Sequence, residues 1–404
     1  MEHHVGVFNS PYGRKDPLIF CDVTLREGEQ TPGVTFTLEE KKQIVRLLDE
    51  VGVGQVQIAH PRFVERSLEV CREICAMPRR LKTEIMTNGM WEKTFEAIDR
   101  ADECGPDIIH SYFFASLYQY PAWSAETKRK MLERIDAVVG YIKGKGRLCN
   151  VSLLDAPRTD DPQYLMAQVD AAGKAGADRI RVPDTVGVCD PEGYYTMVSR
   201  VKEVAIKYGM LVGIHTHNDF GLALANTLAG LRAGADLVDC SINGLGDRAG
   251  NVSLAELVVL LEGFYDFPTG IDVRRMKEVS DFGEQVSGLK TPANKPLVGA
   301  HVFSDESELH NLCMDVNRYA YQGILPEEFG ASRKMIFGKL TTGKVLELAA
   351  QRAGKTIDPA EYPAILQALY EFADTHKGVV PDETILWKIV RKERTDGLLR
   401  GEGI

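Results

Sequence analysis

The stretch LVGIHTHNDFGLALANTLAGLRAGADLVDCSINGLG, residues 211–246, holds a β-branched run, an amphipathic stretch and a second apolar run in close succession. That order reads as strand, helix, strand, the unit from which parallel sheets are built. Outward from it, similar runs recur at 18–26, 54–60, 82–89, 107–116, 149–156, 179–185, 211–218 and 236–246. The gaps hold amphipathic stretches such as TLEEKKQIVRLLDEVG (37–52) and PQYLMAQVDAAGKAGA (162–177), with glycines that suit helix C-caps. Units spaced by roughly 25 to 40 residues predict an α/β fold, a (β/α)8 TIM barrel over residues 15–290. No GxGxxG follows the first run, so an open dinucleotide-binding sheet loses its main support.

In a barrel of this kind the reacting groups sit at the C-terminal ends of the strands. Polar residues gather there in four runs: Arg26-Glu27, Asp184-Thr185, His215 to Asp219, and Asn243 to Asn251. His215 and His217, at i and i+2, project to the same side of a strand, so both imidazoles can face one cation. Glu27, in DVTLREGEQ (22–30), would supply a hard third ligand. Two histidines and one carboxylate leave coordination positions open, which a 2-oxo acid can fill through its ketone and carboxylate oxygens. Zn, Mn, Co and Mg all suit that set. Arg26 can place positive charge where an alkoxide develops.

Past the barrel, SGLKTPANKPLVGAHVF (287–303) reads as a linker. The helical patterns TGKVLELAAQRAG, PAEYPAILQALYEFADTH and PDETILWKIVRKE then predict a smaller, mostly helical region over 295–404, with no room beside them for an additional α/β regulatory domain.

A composition of 44% hydrophobic and 26% charged residues in 404 positions is that of a globular chain with a large core. No run is long and apolar enough to span a membrane, and MEHHVGVFNSPYGRKD lacks an export signal, so the cytosol is the expected compartment. Eight scattered cysteines without a CxxC fit buried thiols in a reducing compartment. Cys71 and Cys75 share a helix face but have no second pair at zinc-finger spacing. A formal net charge of −10 disfavours nucleic acid as a partner, and the basic run at Lys388, Arg391, Lys392 and Arg394 reads as the solvated face of a helix.

LREGEQTPGV (25–34), VPDTVG (182–187), HTHNDFGLALAN (215–226) and NGLGDRAGN (243–251) together resemble the DRE-TIM metallolyase superfamily. Within it they are most similar to the Claisen-condensing branch of homocitrate, isopropylmalate, citramalate and Re-type citrate synthases. The resemblance implies that Glu27, His215 and His217 hold a divalent metal and that Arg26 stabilises the oxyanion. It also places Gln30 and Thr185 against the oxo acid, and Asn243, Gly246, Asp247 and Asn251 on the acetyl-CoA side. LVGAHVFSDESELH (297–310) and YAYQGILPEEFG (319–330) resemble segments that carry a catalytic histidine and tyrosine, here His310 and Tyr321. In that branch these residues serve the enolisation of acetyl-CoA in a neighbouring subunit's barrel, which implies a homodimer.

Several positions depart from the branch's pattern. Strand five carries Leu154, then Asp155, where a glutamate usually assists the histidine. Asp155 replaces it only if the backbone turns it inward, because adjacent strand residues face opposite ways. Strand two has Gln57 in place of a glutamate and adds His60 and Arg62, IMTNGM (85–90) replaces an arginine-containing segment, Asp247 stands where glutamate is common, and FGKLTTGK (337–344) lacks a His-Ser-Gly. Arg62 and His60 would face the variable end of the acceptor, and a guanidinium there suits a dicarboxylate such as oxaloacetate or 2-oxoglutarate, or a phosphonate analogue. An isopropylmalate-type acceptor would need an apolar pocket instead, and an isopropylmalate-type or citramalate-type acceptor is the alternative to the dicarboxylate. A metal-dependent lyase or aldolase on the same barrel and a non-catalytic binding relative are the competing readings; the segment with His310 and Tyr321 favours the synthase.

Overall fold

The computed structural model describes residues 12–13, 16–59, 65–119 and 124–393. Eight parallel strands close into a barrel in sequence order: β1 Ile19–Asp22, β2 Gln55–Ala59, β3 Lys82–Asn88, β4 Ile108–Phe114, β5 Leu148–Leu154, β6 Arg179–Asp184, β7 Leu211–Thr216 and β8 Leu237–Cys240. Pairing of β1 with β8, Ile19 opposite Leu237 through Asp22 opposite Cys240, completes the ring. The helices between them are α1 Leu38–Val51, α2 Glu65–Cys75, α3 Thr94–Glu103, α4 Ala125–Gly144, α5 Pro162–Lys174, α6 Pro191–Ala205 and α7 Ala223–Arg232, and α8 Leu254–Tyr265 and α9 Met276–Ser287 follow β8.

Local chemistry sets the helix ends. Thr37 and Glu40 form a capping box at the start of α1, and Gly52 ends the helix at φ 99°. Pro162 and Pro191 open α5 and α6 behind the caps Asp161 and Asp190, where a missing N–H costs nothing.

Along each strand alternate residues divide between two environments. Val56, Ile58, Ile85, Ile109, Val151, Ile180, Val182, Val212 and Val238 are buried, and period-two alternation puts them on the face away from the polar set described below. Each fully buried side chain of this size stabilises the fold by roughly 1.5–3 kcal/mol. The other face carries Gln57, Glu84, His110, Asn150, Ser152, Arg181 and Asp239, all buried and mutually hydrogen-bonded or ion-paired. The interior is thus a polar network rather than the layers of branched aliphatics that usually fill such a barrel. Gly213 makes space for it: a Cβ there would stand 2.7 Å from Leu237 and 3.4 Å from the Cβ of Arg181.

The described strands are shorter than the apolar runs. β1 stops at Asp22 because the chain turns back on the Val23 carbonyl, which accepts the N–H groups of Arg26 and Glu27 at 3.1 and 2.7 Å. Catalytic candidates of the first run therefore sit in the turn after the strand.

The described residues from 12 to 290 belong to one compact unit and those from 291 onward to a second. The second contains α10 Glu308–Val316, α11 Gly343–Arg352, α12 Tyr362–Thr375 and α13 Glu383–Val390, with a two-stranded parallel pair, β9 Ser304–Asp305 and β10 Lys334–Met335. Its own core gathers Phe337, Val345, Leu346, Leu369, Leu386 and Trp387.

Candidate active site

Glu27, His215 and His217 converge at the C-terminal mouth of the barrel, with one ligand atom from each lying within 4.8 Å of the others. The two Nε2 atoms are 3.1 Å apart, and His217 Nε2 lies 3.7 Å from Glu27 Oε1. Among the described residues no other set of three His, Cys, Asp or Glu side chains gathers in this way. His215 Nδ1 meets Asp239 Oδ2 at 2.9 Å. An ionised carboxylate only accepts, so this Nδ1 carries the hydrogen and Nε2 turns its lone pair towards the shared space. Two imidazole nitrogens and a carboxylate oxygen, one imidazole oriented by a second carboxylate, fit a divalent cation.

Burial alone would raise the pKa of Glu27, but Arg26, His215 and His217 overcome it and bring it down to about 2. Burial, then His215, pushes His217 down to about 3. Both groups are therefore in metal-binding form near neutrality. Arg26 pairs with Glu27 Oε2, donates Nε to Gln57 Oε1, and donates Nη1 to Gln30 Oε1 at 3.1 Å. Gln30 Nε2 in turn donates to Asp247 Oδ2 at 2.5 Å. Burial and the neighbouring Glu27 raise the pKa of Asp247.

Beneath the mouth, Arg181 spans two carboxylates, with Nη2 3.0 Å from Asp239 and Nη1 2.9 Å from Glu84. Burial opposes its charge, but Asp239 and Glu84 together outweigh that and hold its pKa above the ordinary value. Glu84 also accepts from Gln55 Nε2 at 2.7 Å and Asn150 Nδ2 at 3.0 Å, and faces His110 Nδ1 at 3.0 Å. Burial favours the neutral acid, yet Arg181 and His110 hold Glu84 well below the usual carboxylate range. His110, its pKa lowered chiefly by burial, reaches Ser152 Oγ through Nε2 at 2.7 Å.

A cavity of about 180 Å³ opens above this network. Arg26, Glu27, Gln30, Thr185, His215, His217 and Asp247 line it, as expected from the sequence, and Met86, His110, Tyr112, Ser152, Leu154, Arg181, Pro183 and Asp239 complete the wall. Of the residues expected on the acetyl-CoA side, only Asp247 lines it. Asn243, at φ 56°, donates to the Ser280 carbonyl at 2.8 Å and so faces α9. Asn251 pairs with His217 across a β-bridge, and Gly246 lets the loop pass, since a Cβ there would stand 2.6 Å from Asn251 Nδ2 and 3.2 Å from Glu27 Cγ. His60 and Arg62 lie outside the described residues.

Leu154 faces the cavity, while Asp155 turns left-handed at φ 61° and gives its carboxylate to Arg158 Nε at 2.8 and 2.9 Å. The backbone has not turned Asp155 inward. In the second unit, His310 Nδ1 lies 2.6 Å from Asp305 Oδ2, and its ring stacks on Tyr321 with centroids 3.7 Å apart at 25°.

Glu84, His110, Ser152, Arg181 and Asp239 were not among the residues singled out in the sequence. The signal was partial: LCNVSLL and RIRVPD alternate polar with apolar residues at Asn150 and Ser152 and at Arg179 and Arg181, whereas in KTEIMTN and IIHSYFF polar neighbours such as Thr83 and Ser111 beside Glu84 and His110 blur the period.

The HMGL-like family profile matches residues 17–282. A 2-isopropylmalate synthase of Methanocaldococcus jannaschii is 34% identical over 390 residues, covering 94% of this chain and 74% of its own. Homocitrate synthase AksA of the same organism is 33% identical over 388 residues, covering 95% and 94%. Among solved structures, a Bacillus subtilis HMG-CoA lyase superposes with a TM-score of 0.60 at 18% identity over 72% of this chain and 98% of its own, a likeness of fold.

Proposed function

The chain belongs to the HMGL-like family, in the Claisen-condensing branch of its relatives, and from that premise we propose that it joins the methyl carbon of acetyl-CoA to the ketone carbon of a 2-oxo acid and releases CoA. The observation that carries this reading is the convergence of Glu27, His215 and His217 in one cavity beside Arg26. When bound there, a divalent cation would polarise the ketone. Arg26, fixed by Gln57 and Gln30, offers its guanidinium to the oxygen that gains charge as the new bond forms. Thr185 and Gln30 line the side where the acceptor's carboxylate would sit. His310 takes a proton from the thioester methyl, with Tyr321 beside it to stabilise the enolate oxygen. Water then cleaves the thioester of the adduct.

The lining also bears on the acceptor. Among the described residues, both guanidinium groups in the cavity are already matched by carboxylates, Arg26 by Glu27 and Arg181 by Glu84 and Asp239. A second acceptor carboxylate would enter beside Glu27, Asp239 and Asp247, where Arg26, already paired with Glu27 and facing the oxygen that gains charge, would have to meet it as well. Met86, Tyr112 and Leu154 instead offer an apolar and aromatic wall, which supports an acceptor with an uncharged variable end. A dicarboxylate acceptor requires Arg62 to supply the cation. We propose a cytosolic homodimer: Cys21, Cys71, Cys104, Cys149 and Cys240 are buried thiols, which suits a reducing compartment, and a dimer follows if His310 and Tyr321 serve a neighbouring subunit's barrel.

The test is CoA thiol release from acetyl-CoA with pyruvate, 2-oxoisovalerate, oxaloacetate and 2-oxoglutarate, with added Mn or Zn. Turnover fastest with pyruvate or 2-oxoisovalerate is expected. Turnover fastest with a dicarboxylate overturns the reading of the wall, and no release with any acid overturns the synthase.

A further inference from the structure

A proton-taking imidazole needs its other nitrogen held, or the wrong tautomer meets the substrate. The cavity has no carboxylate to spare for that task. Glu27 is committed to Arg26, Asp239 to His215 and Arg181, and Asp247 to Gln30. At the end of β5, Leu154 offers nothing polar and Arg158 closes off the carboxylate of Asp155.

Residues 305–321 carry their own. Asp305, at the end of β9, is fixed before it meets any imidazole: Oδ1 accepts the N–H of Ser307 at 2.9 Å, and its carbonyl accepts Asn311 Nδ2 at 3.0 Å. The turn leads directly into α10, so His310 returns within reach of Asp305 Oδ2, 2.6 Å from Nδ1. The carboxylate can only accept, so Nδ1 bears the hydrogen and Nε2 keeps a lone pair with no hydrogen bond among the described residues. Tyr321 covers the face of the ring, and its hydroxyl also makes no hydrogen bond among the described residues. Both side chains are partly exposed, at 36% for the His310 side chain and 45% for Tyr321. Holding an accessible imidazole by edge and face costs rotamer entropy, and the arrangement leaves one basic nitrogen and one phenol pointing away from their supports.

We propose that Asp305 is the positioning residue for His310: it fixes the Nδ1–H tautomer and balances the positive charge that forms when Nε2 takes a proton from the acetyl-CoA methyl group. The C–H electron pair passes into the enolate, the proton rests on Nε2, and Asp305 keeps its own charge throughout. This inference rests on the proposed function, and it assigns to a residue five positions before the histidine the support that β5 does not give.

The experiment compares Asp305→Asn, Asp305→Glu, His310→Ala and the double variant Asp305→Asn/His310→Ala in the full chain. The amide of Asp305→Asn presents both a donor and an acceptor, so it no longer selects one tautomer. This variant is expected to lower kcat by about 10²–10⁴-fold with KM for the oxo acid changed little, and to slow exchange of the acetyl-CoA methyl hydrogens with deuterated solvent in parallel. Asp305→Glu should recover part of the loss. A residue that acts only through His310 adds nothing once His310 is gone, so the double variant should match His310→Ala. Nitrogen-15 spectra of the His310 ring should show a protonated Nδ1 in wild type and a mixture of tautomers in Asp305→Asn. An active wild type whose Asp305→Asn variant keeps kcat within about threefold overturns the role of Asp305, as does full additivity in the double variant. A wild type that fails to release CoA with any of the four acids overturns the functional reading itself, a separate outcome.

Discussion

The barrel mouth and the segment from Asp305 to Tyr321 both hold histidines against carboxylates, yet they are built in opposite ways. At the mouth, ligands separated by almost two hundred residues meet only because the barrel closes, and one continuous chain of contacts runs His215, Asp239, Arg181, Glu84, His110 to Ser152. The chain is buried, so each member is a condition for its neighbours' charge states. In the second unit the pair is local, partly exposed and made by one turn and one helix. Damage at the mouth should therefore spread into metal affinity and stability, whereas damage at Asp305 should stay in the rate.

The largest effect tests the metal group. His217→Ala removes one of three ligands, and CoA release should fall by ~10³-fold or more with loss of tight metal binding by calorimetry. Wild-type turnover in that variant would show that the site lies elsewhere. Next comes Glu84→Gln, away from the metal but opposite Arg181. Leaving a buried guanidinium short of a carboxylate should cost about 3–5 kcal/mol in urea unfolding, whereas breaking the partly exposed Asp305 pair should cost no more than about 1 kcal/mol. Equal losses in Glu84→Gln and Asp305→Asn would break the comparison. Arg26→Ala should then lower kcat by ~10²–10³-fold while metal affinity holds, which separates charge stabilisation from ligation. Asp239→Asn frees the tautomer of His215 and should weaken metal binding by about 10–100-fold in chelator competition.

The same contrast explains what could be read in the sequence. The barrel was legible because its outward-facing residues, such as Ile85, Ile109 and Ile180, are β-branched and recur with helices between them. His215 and His217 were legible because their spacing can put both on one side of a strand within a barrel, and Glu27 because it follows the first apolar run closely. The network beneath was written in the same strands, but a single buried Glu84 or Arg181 has no local partner in sequence; its partners lie on other strands and appear only when the register is fixed. Arg26 and Glu27 were expected to end a strand and instead occupy a turn, since the Val23 carbonyl that captures their N–H groups leaves no residue-type signature. The Asp305 pair is within five residues of His310 and still went unread, because an acidic segment such as SDESEL offers several carboxylates and only the β9 turn selects one.

The smallest expected effect concerns acid. In the metal-free protein His217 has a pKa of about 3 against about 6.5 for an unperturbed imidazole, so between those values the unfolded chain binds more protons than the folded one. Stability from this group is full above pH 6.5 and is lost as pH falls towards 3. Glu27 acts with the same sign, because a pKa of about 2 in the fold against an ordinary 4.5 gives stability above pH 4.5 that is lost on further acidification. The two windows begin two pH units apart, roughly, and a His217→Asn variant isolates the first. Between about pH 6.5 and 5 the metal-free wild type should lose roughly 1–2 kcal/mol more than His217→Asn in urea unfolding, and the gap should go on widening until His217 itself is protonated near pH 3. Saturating metal should leave this difference in place above about pH 5, since a bound cation only keeps neutral an imidazole that the fold already holds neutral there, while the unfolded chain still takes up its proton. If the variant and wild type lost stability at the same rate from about pH 6.5 to 5, His217 would not be buried against His215 as the barrel mouth holds it. The contrast between a buried, shared site and a local, exposed one would then survive only at Glu84 and Arg181.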